Sequence, residues 1–288
     1  QSIRSLINDS NYWKENIRKE IINYISNLLV EVNELIILKY YKNLSSKHIN
    51  TKSSDDDYVS IADKESEIYI VKNLIGFFNI NQYIGEETSY SNKDDYKSLE
   101  KNALYWVIDP IDGTKNYING KNEFCSMISL VFNSIPIASF VYYPLKNLLV
   151  YAFKGFGAYS LDIKTKKIIR LRIQQNSFAN IVGSGGTKGI QEPLRQKVLQ
   201  NLRKHTNRLF IGSAGIEAIM LASNETQFVF HGRVTPWDHS PLDLIIKESG
   251  GCVYMLNDKT EFNIFSKGPI LAASNDQLWE DVRSLALK

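Results

Sequence analysis

The stretch Trp106-Val107-Ile108-Asp109-Pro110-Ile111-Asp112-Gly113-Thr114 decides how the rest of the chain is read. Tyr105 to Ile108 is a short aromatic and β-branched run, which predicts a buried strand, and Pro110, with no N–H for a ladder, predicts where it stops. Asp109 and Asp112 flank the proline, and Gly113-Thr114 follow at once. Hard oxygen ligands are thereby set beside the amides of Gly113 and Thr114, which can receive a phosphate oxygen if a helical turn begins there. Taken by itself the segment is better read as a turn, because Asp, Pro and Gly are the usual turn residues.

Its company changes the reading. Gly85-Glu86-Glu87 lies upstream, and Trp237-Asp238 lies downstream, ahead of an apolar helix that ends at Gly250-Gly251. In this order the three pieces resemble the inositol monophosphatase superfamily of magnesium-dependent, lithium-sensitive phosphomonoesterases, over roughly Lys52 to Gly251. Separated motifs that must all occur in order match by chance far less often than one short pattern. The resemblance implies a layered α/β/α/β/α sandwich. It also implies one magnesium held by Glu86, Asp109 and the Ile111 carbonyl, a second held by Asp109, Asp112 and Asp238, and a weakly held third to which Glu86 contributes.

Composition sets the frame. A chain of 288 residues with 43% hydrophobic content can bury a substantial core as one large domain or two modest ones. A formal charge of +3 without a concentrated Lys/Arg block gives no reason to expect a nucleic-acid polymer as partner. Cys125 and Cys252 sit in apolar contexts far apart, which fits free thiols in a reducing compartment. Ile21 to Leu38 is apolar but contains Glu31 and Glu34, which makes it a poor membrane span. A cytoplasmic protein without a membrane partner is expected; the start at Gln1 leaves open whether a leader precedes it.

Along the chain, Ile17, Ile21, Ile25, Leu28, Val32 and Leu35 recur at steps of three and four, predicting one buried helical face. After the polar loop from Lys52 to Asp57, Tyr58 to Ile61 reads as a strand. A helix is expected from Ala62-Asp63, with Asp63 as its cap, Ile68, Val71, Leu74 and Ile75 as its apolar face, and an end near Gly76. Tyr83-Ile84 predicts a strand that delivers Glu86, followed by a polar connection over Thr88 to Lys101. Phe124–Phe132, Ile135–Tyr142, Leu148–Phe153 and Ile168–Ile173 predict an antiparallel meander. From Ile181 strands alternate with helices, so a boundary is placed near Ser177: an α+β part over residues 1–176 and an α/β part over 177–288.

The chemistry that the resemblance implies is hydrolysis of a small phosphate monoester by a metal-activated water. No HExxH pattern or Cys partner accompanies the four histidines, which weakens a zinc reading. The resemblance implies activation by Glu86 and the Thr114 hydroxyl, with Asp63 supporting Thr114; for Asp63, a helix cap without catalytic part has equal weight. Adjacent strand residues point to opposite faces, so only one of Glu86 and Glu87 reaches the site, and the resemblance selects Glu86. Asp238 fits a helix N-terminus, where a carboxylate is also favoured by the dipole alone. His239 is read as a solvent-facing neighbour, and Gly183 to Gly189, lacking the Gly-Lys-Ser/Thr order, as a strand-to-helix turn near the pocket. Lys52 matches a loop lysine of the superfamily.

Gly212-Ser213-Ala214 resembles the segment that lines the substrate alcohol. His231 stands where inositol-specific members carry a glutamate that binds sugar hydroxyls, and Arg233 follows. A carboxylate accepts from hydroxyls, whereas Arg and protonated His donate and favour an anion, so a 3′(2′),5′-bisphosphate nucleotide competes with inositol phosphate as substrate. Lys115 points the same way, and a histidinol-phosphate phosphatase is a third possibility. A reading of another class is a regulatory binding protein with a passive metal site. The resemblance also suggests a homodimer.

Overall fold

The computed structural model describes residues 13–45, 48–51, 58–91, 103–175 and 180–288. Helix α1 (Glu15–Val32) buries Ile17, Ile21, Ile25, Leu28 and Val32, as the spacing predicts. Leu35, expected on the same face, is 43% exposed. A π-turn at Asn33–Ile37 precedes the last helical residues, Leu38–Tyr40, and its extra residue rotates the stripe so that Asn33 and Ile37 turn inward instead. By length and composition alone Glu15–Tyr40 passes as a candidate membrane span, a test that a buried core helix passes equally. Here its apolar stripe lies against a sheet.

Strand β1 (Ile49–Thr51) pairs antiparallel with β2 (Tyr58–Ser60), which leads into α2 (Ile61–Leu74). The cap of α2 is Ser60 rather than Asp63. Its buried face is Ala62, Asp63, Ser66, Glu67, Ile70 and Leu74, while Ile68, expected inside, is 70% exposed. Gly76, at φ +86°, follows the end of the helix. β3 (Tyr83–Gly85) passes directly into a short helix, α3 (Glu86–Ser91), where a strand end and a loop were expected. The rest of that connection, and Lys52, lie outside the described residues.

β4 (Leu104–Asp112) runs through Pro110 instead of stopping at it, and α4 (Thr114–Ile118) follows. β5 (Cys125–Phe132), β6 (Ile135–Tyr143), β7 (Leu148–Phe153), β8 (Gly157–Asp162) and β9 (Ile168–Leu171) form the meander. The sheet order is β3-β4-β5-β6-β7-β8-β9, parallel only between β3 and β4. β8 is absent from the sequence reading because its Gly, Ser and Asp dilute the apolar alternation.

The second half contributes β10 (Val182–Gly186), α5 (Leu194–His205), β11 (Asn207–Leu209), α6 (Ala214–Ala222), β12 (Phe228–His231), α7 (Pro236–Glu248), β13 (Cys252–Met255), β14 (Ile270–Ala273) and α8 (Asp276–Leu287). Its sheet order is β11-β10-β12-β14-β13, with β10 parallel to both neighbours and the remaining pairs antiparallel. Gly183 to Gly186, expected in a turn, belong to β10. A Cβ on Gly183 would lie 2.0 Å from the Phe228 ring, and one on Gly185 2.1 Å from the Phe230 carbonyl oxygen.

Strand alternation sorts the side chains into layers. On one face of the first sheet Trp106, Ile108, Ile128 and Phe140 pack under α1 and α2. On the other, Met127 and Val141 meet Ile216 of α6 and Leu242 and Ile245 of α7, which in turn meet Val229 and Val253 of the second sheet. Phe228 and Phe230 face outward onto Val198 and Leu202 of α5 and Trp279 and Val282 of α8. The result is the expected α/β/α/β/α sandwich. Its middle core is continuous across both halves; the boundary expected near Ser177 falls outside the described residues.

Candidate metal and phosphate site

In a regular strand Asp109 and Asp112, an odd number of residues apart, would point to opposite faces. The ladder prevents this. Asp109 is opposite Met127 and Asp112 is opposite Cys125, three steps on β4 against two on β5. This is a bulge, which carries Pro110 without ending the strand and re-aims the side chains around it. The Pro110 carbonyl accepts a hydrogen bond from Ser126 Oγ at 2.8 Å. Asp238 arrives from the first turn of α7, where the Thr235 side chain accepts its amide at 3.3 Å. Asp109, Asp112 and Asp238 each bring a carboxylate oxygen within 4.8 Å of the others.

Asp63 combines the two roles left open by the sequence. Its Oδ2 accepts the Ser60 amide at 2.7 Å and the Ser60 hydroxyl at 2.5 Å, completing a capping box on α2. Its Oδ1 lies 3.0 Å from Thr114 Oγ1. The same hydroxyl is 3.0 Å from the Ile111 carbonyl, and its one hydrogen serves one acceptor at a time. The charge-assisted bond to Asp63 is the stronger and leaves the Ile111 carbonyl a lone pair. A helical turn does begin at Thr114. Gly113, at φ +88°, is its N-cap, and a Cβ there would meet the Glu123 carbonyl oxygen at 2.7 Å.

Glu86 is close enough to Asp109 to hydrogen-bond it and to raise its pKa. Strand alternation does not separate Glu86 from Glu87, because both lie in the first turn of α3. That turn is held by Glu67, a residue that sequence reasoning missed. Glu67 is 3% exposed and accepts the amides of Glu87 at 2.7 Å and Thr88 at 2.8 Å, together with the Thr88 hydroxyl. Gly85 makes room for it, since a Cβ there would fall 2.4 Å from the Glu67 carboxyl.

Burial and the charges of Glu86, Asp112 and Asp238 hold Asp109 well above the usual carboxylate range. Burial and Asp238 push Asp112 up to about 7, against the opposing bonds from Ser213 and Gly215. Asp112 Oδ2 accepts Ser213 Oγ at 2.6 Å and the Gly215 amide at 2.7 Å. Ser213, expected to line the substrate alcohol, therefore gives its hydroxyl to Asp112. Asp109 Oδ1 is buried without a hydrogen-bond partner. Converging carboxylates with an orphaned buried oxygen fit hard divalent cations, which take oxygen ligands and remove the repulsion. Cys125 touches Asp112 at 3.5 Å, but burial pushes its thiol up, so it acts as a donor rather than a thiolate ligand.

A cavity of about 530 Å³ opens beside Asp112 and Asp238. Gly212, Ser213 and Ala214 line it, and Lys115, Lys121, Lys188 and Arg233 are among its lining residues. Glu217 and His231 share its wall. The expected donation from His231 to a second anion is not available: Nε2 lies 2.5 Å from Glu217 Oε2 and Nδ1 lies 2.9 Å from His239 Nε2. His239 is 2% exposed rather than solvent-facing.

The inositol monophosphatase family model matches residues 19–286. A fructose-1,6-bisphosphatase/inositol-1-monophosphatase of Thermotoga maritima is 28% identical over 263 residues, 91% of this chain and 93% of that protein. An inositol monophosphatase of Dictyostelium discoideum is 31% identical, covering 80% of this chain and 84% of its own. A Nus factor SuhB of Xylella fastidiosa is 26% identical over 81% and 82% of the two chains. Among solved structures, a Thermotoga maritima IMPase superposes with a TM-score of 0.77 at 26% identity, over 93% of this chain and 96% of its own. The chain belongs to the inositol monophosphatase family.

Proposed function

We propose that this member of the inositol monophosphatase family is a magnesium-dependent phosphomonoesterase that hydrolyses a small phosphorylated metabolite with water as the nucleophile. The observation that carries the reading is the convergence of Asp109, Asp112 and Asp238, beside Glu86, next to the Asp63–Thr114 pair. Glu86, Asp109, Asp112, Asp238 and the Ile111 carbonyl are the groups that would hold two or three magnesium ions. When bound, the ions neutralise phosphate oxygens, make water more acidic and stabilise the leaving alkoxide.

The chain's own residues handle the proton. Thr114 gives its hydrogen to Asp63, so the lone pairs of Oγ1 are turned outward to accept from a water. Glu86 accepts the water's transferable proton. The amides at the Gly113-Thr114 turn orient the phosphate.

Phosphate release from inositol 1-phosphate, fructose 1,6-bisphosphate and adenosine 3′,5′-bisphosphate, with and without magnesium, tests the proposal. Release that needs magnesium and is inhibited by lithium is expected, and no release from any ester would overturn it. The lysines and Arg233 at the cavity favour a bisphosphate among these. A second reading, a regulatory binding protein, is favoured by the SuhB-named relatives. We further propose a cytoplasmic homodimer, with sedimentation as the check on assembly.

A further inference from the structure

One buried hydrogen-bond chain, from Thr235 through His239 and His231, ends on Glu217. His239 Nδ1 lies 3.1 Å from the Thr235 amide, which can only donate, and 3.1 Å from the Thr235 carbonyl oxygen, which can only accept and also takes the His239 amide at 3.2 Å. With Nδ1 as acceptor, a neutral His239 carries its hydrogen on Nε2 and donates it to His231 Nδ1 at 2.9 Å. His231 then carries its hydrogen on Nε2 and donates it to Glu217 Oε2 at 2.5 Å. With Nδ1 instead donating to the Thr235 carbonyl, His239 Nε2 accepts from His231 Nδ1 and a protonated His231 faces Glu217; in both arrangements Oε2 receives the Nε2 hydrogen and neither imidazole keeps an N–H for a ligand.

Glu217 is 2% exposed, yet its side chain lines the cavity beside Asp112 and Asp238. Oε2 is occupied by His231, and among the described residues no donor to Oε1 is found. Arg208 feels its charge, but its Nη2 is bonded to the Gly185 carbonyl at 2.6 Å and its Nε and Nη1 are buried without a partner. A carboxylate fixed at one oxygen by the His231 imidazole, with the other facing the cavity, is a preorganised acceptor for a hydroxyl.

The geometry points to Glu217 as the specificity-determining residue that accepts a hydrogen bond from a hydroxyl of the substrate alcohol. The inference rests on the phosphatase reading above and deepens it. The acceptor comes from α6, whereas the glutamate of inositol-specific members stands at the position of His231, on β12. The departure at His231 thus does not remove a carboxylate from the pocket; it replaces the carboxylate by the imidazole that anchors one supplied from across the wall.

The test compares inositol 1-phosphate with cyclohexyl phosphate, an ester of similar size without hydroxyls, in wild type and Glu217→Gln. Wild type is expected to favour inositol 1-phosphate in kcat/KM by about 10- to 100-fold, the range of one hydrogen bond to a charged group, with the difference residing mainly in KM. Glu217→Gln should compress that ratio about tenfold or more. Glutamine keeps an oxygen for His231 and matches glutamate in size, so a fold with unchanged melting behaviour is expected. A ratio left unchanged by Glu217→Gln, whether both esters slow together or neither does, overturns the assignment. Calorimetric binding of the same two esters with calcium replacing magnesium reads the ratio without turnover. Loss of turnover with a preserved binding preference would sink the phosphatase reading alone; equal affinity for the two esters, or no binding of either, would sink the role of Glu217.

Discussion

Asp63→Asn separates the two tasks of one carboxylate. In the native protein Oδ2 accepts two bonds from Ser60, and Oδ1 accepts from Thr114. Asparagine has one acceptor oxygen and one NH₂ group. Turning the NH₂ toward the Ser60 amide would oppose two donors, so the oxygen stays on Ser60 and the NH₂ faces Thr114. The cap is kept without its charge assistance, at a cost of about 1 kcal/mol, or roughly 2–4 °C in Tm for a chain of this size. Thr114 is rewired more severely. Its hydroxyl must now accept from the amide and donate to the Ile111 carbonyl, 3.0 Å away. That occupies one of the lone pairs meant for water, turns the hydroxyl away from its place beside that water and loads an oxygen offered to a cation. Turnover is therefore expected to fall by about 10²–10⁴-fold, the range for a lost proton acceptor, in a folded protein. The assay is magnesium-dependent phosphate release beside a thermal melt, repeated for Thr114→Val and the double variant. If Asp63 works through Thr114, the double variant loses no more than Thr114→Val alone. Activity of Asp63→Asn within about threefold of wild type, with the melt lowered, would make Asp63 a cap only and refute the reasoning.

Asp109→Asn should nearly abolish turnover because Asp109 is shared by the carboxylate cluster, whereas Glu123→Gln should leave it close to wild type; comparable rates for wild type and Asp109→Asn would contradict the site. Glu67→Gln removes one acceptor beneath the α3 turn, and the magnesium concentration for half-maximal activity should rise about 10- to 100-fold, as for other supports of ligand groups; an unchanged magnesium titration would leave Glu67 with a purely structural part. The pH dependence follows from Asp112, raised from 3.8 to about 7, and Asp109, raised in the same direction. A raised acid binds its proton more tightly when folded, so metal-free stability falls as pH rises from about 4 to about 7. Magnesium should therefore raise Tm much more at pH 7.5 than at pH 5, and equal increments at the two pH values would refute this account.

Much of the architecture was legible because its signals are local and apolar. The stripe of α1, the runs of β5, β6 and β7 and the alternation of strands and helices after Ile181 required nothing but period and composition. What the sequence hid is instructive, and α2 shows why. Its inward face carries Asp63, Ser66 and Glu67, so a search for an apolar stripe placed Ile68 inside, where the structure leaves it 70% exposed. Pro110 was hidden similarly: it marks the end of a strand by rule, yet here it occupies the bulge that brings two aspartates, otherwise opposed, to one place. Glu217 is harder still, since nothing local distinguishes a glutamate in an apolar helix from a mistake in phase until His231 and His239 are found against it. Local rules are broken where side chains serve the site, so the inward polar residues of a helix with a weak apolar stripe are themselves a signal. Read that way, Asp63, Glu67 and Glu217 form a set: each is an acid at most 3% exposed on a helix, and each fixes a neighbouring group through one or both of its oxygens. Such acids cost desolvation energy that apolar residues would not, which is the physical reason to expect them where chemistry requires a fixed acceptor.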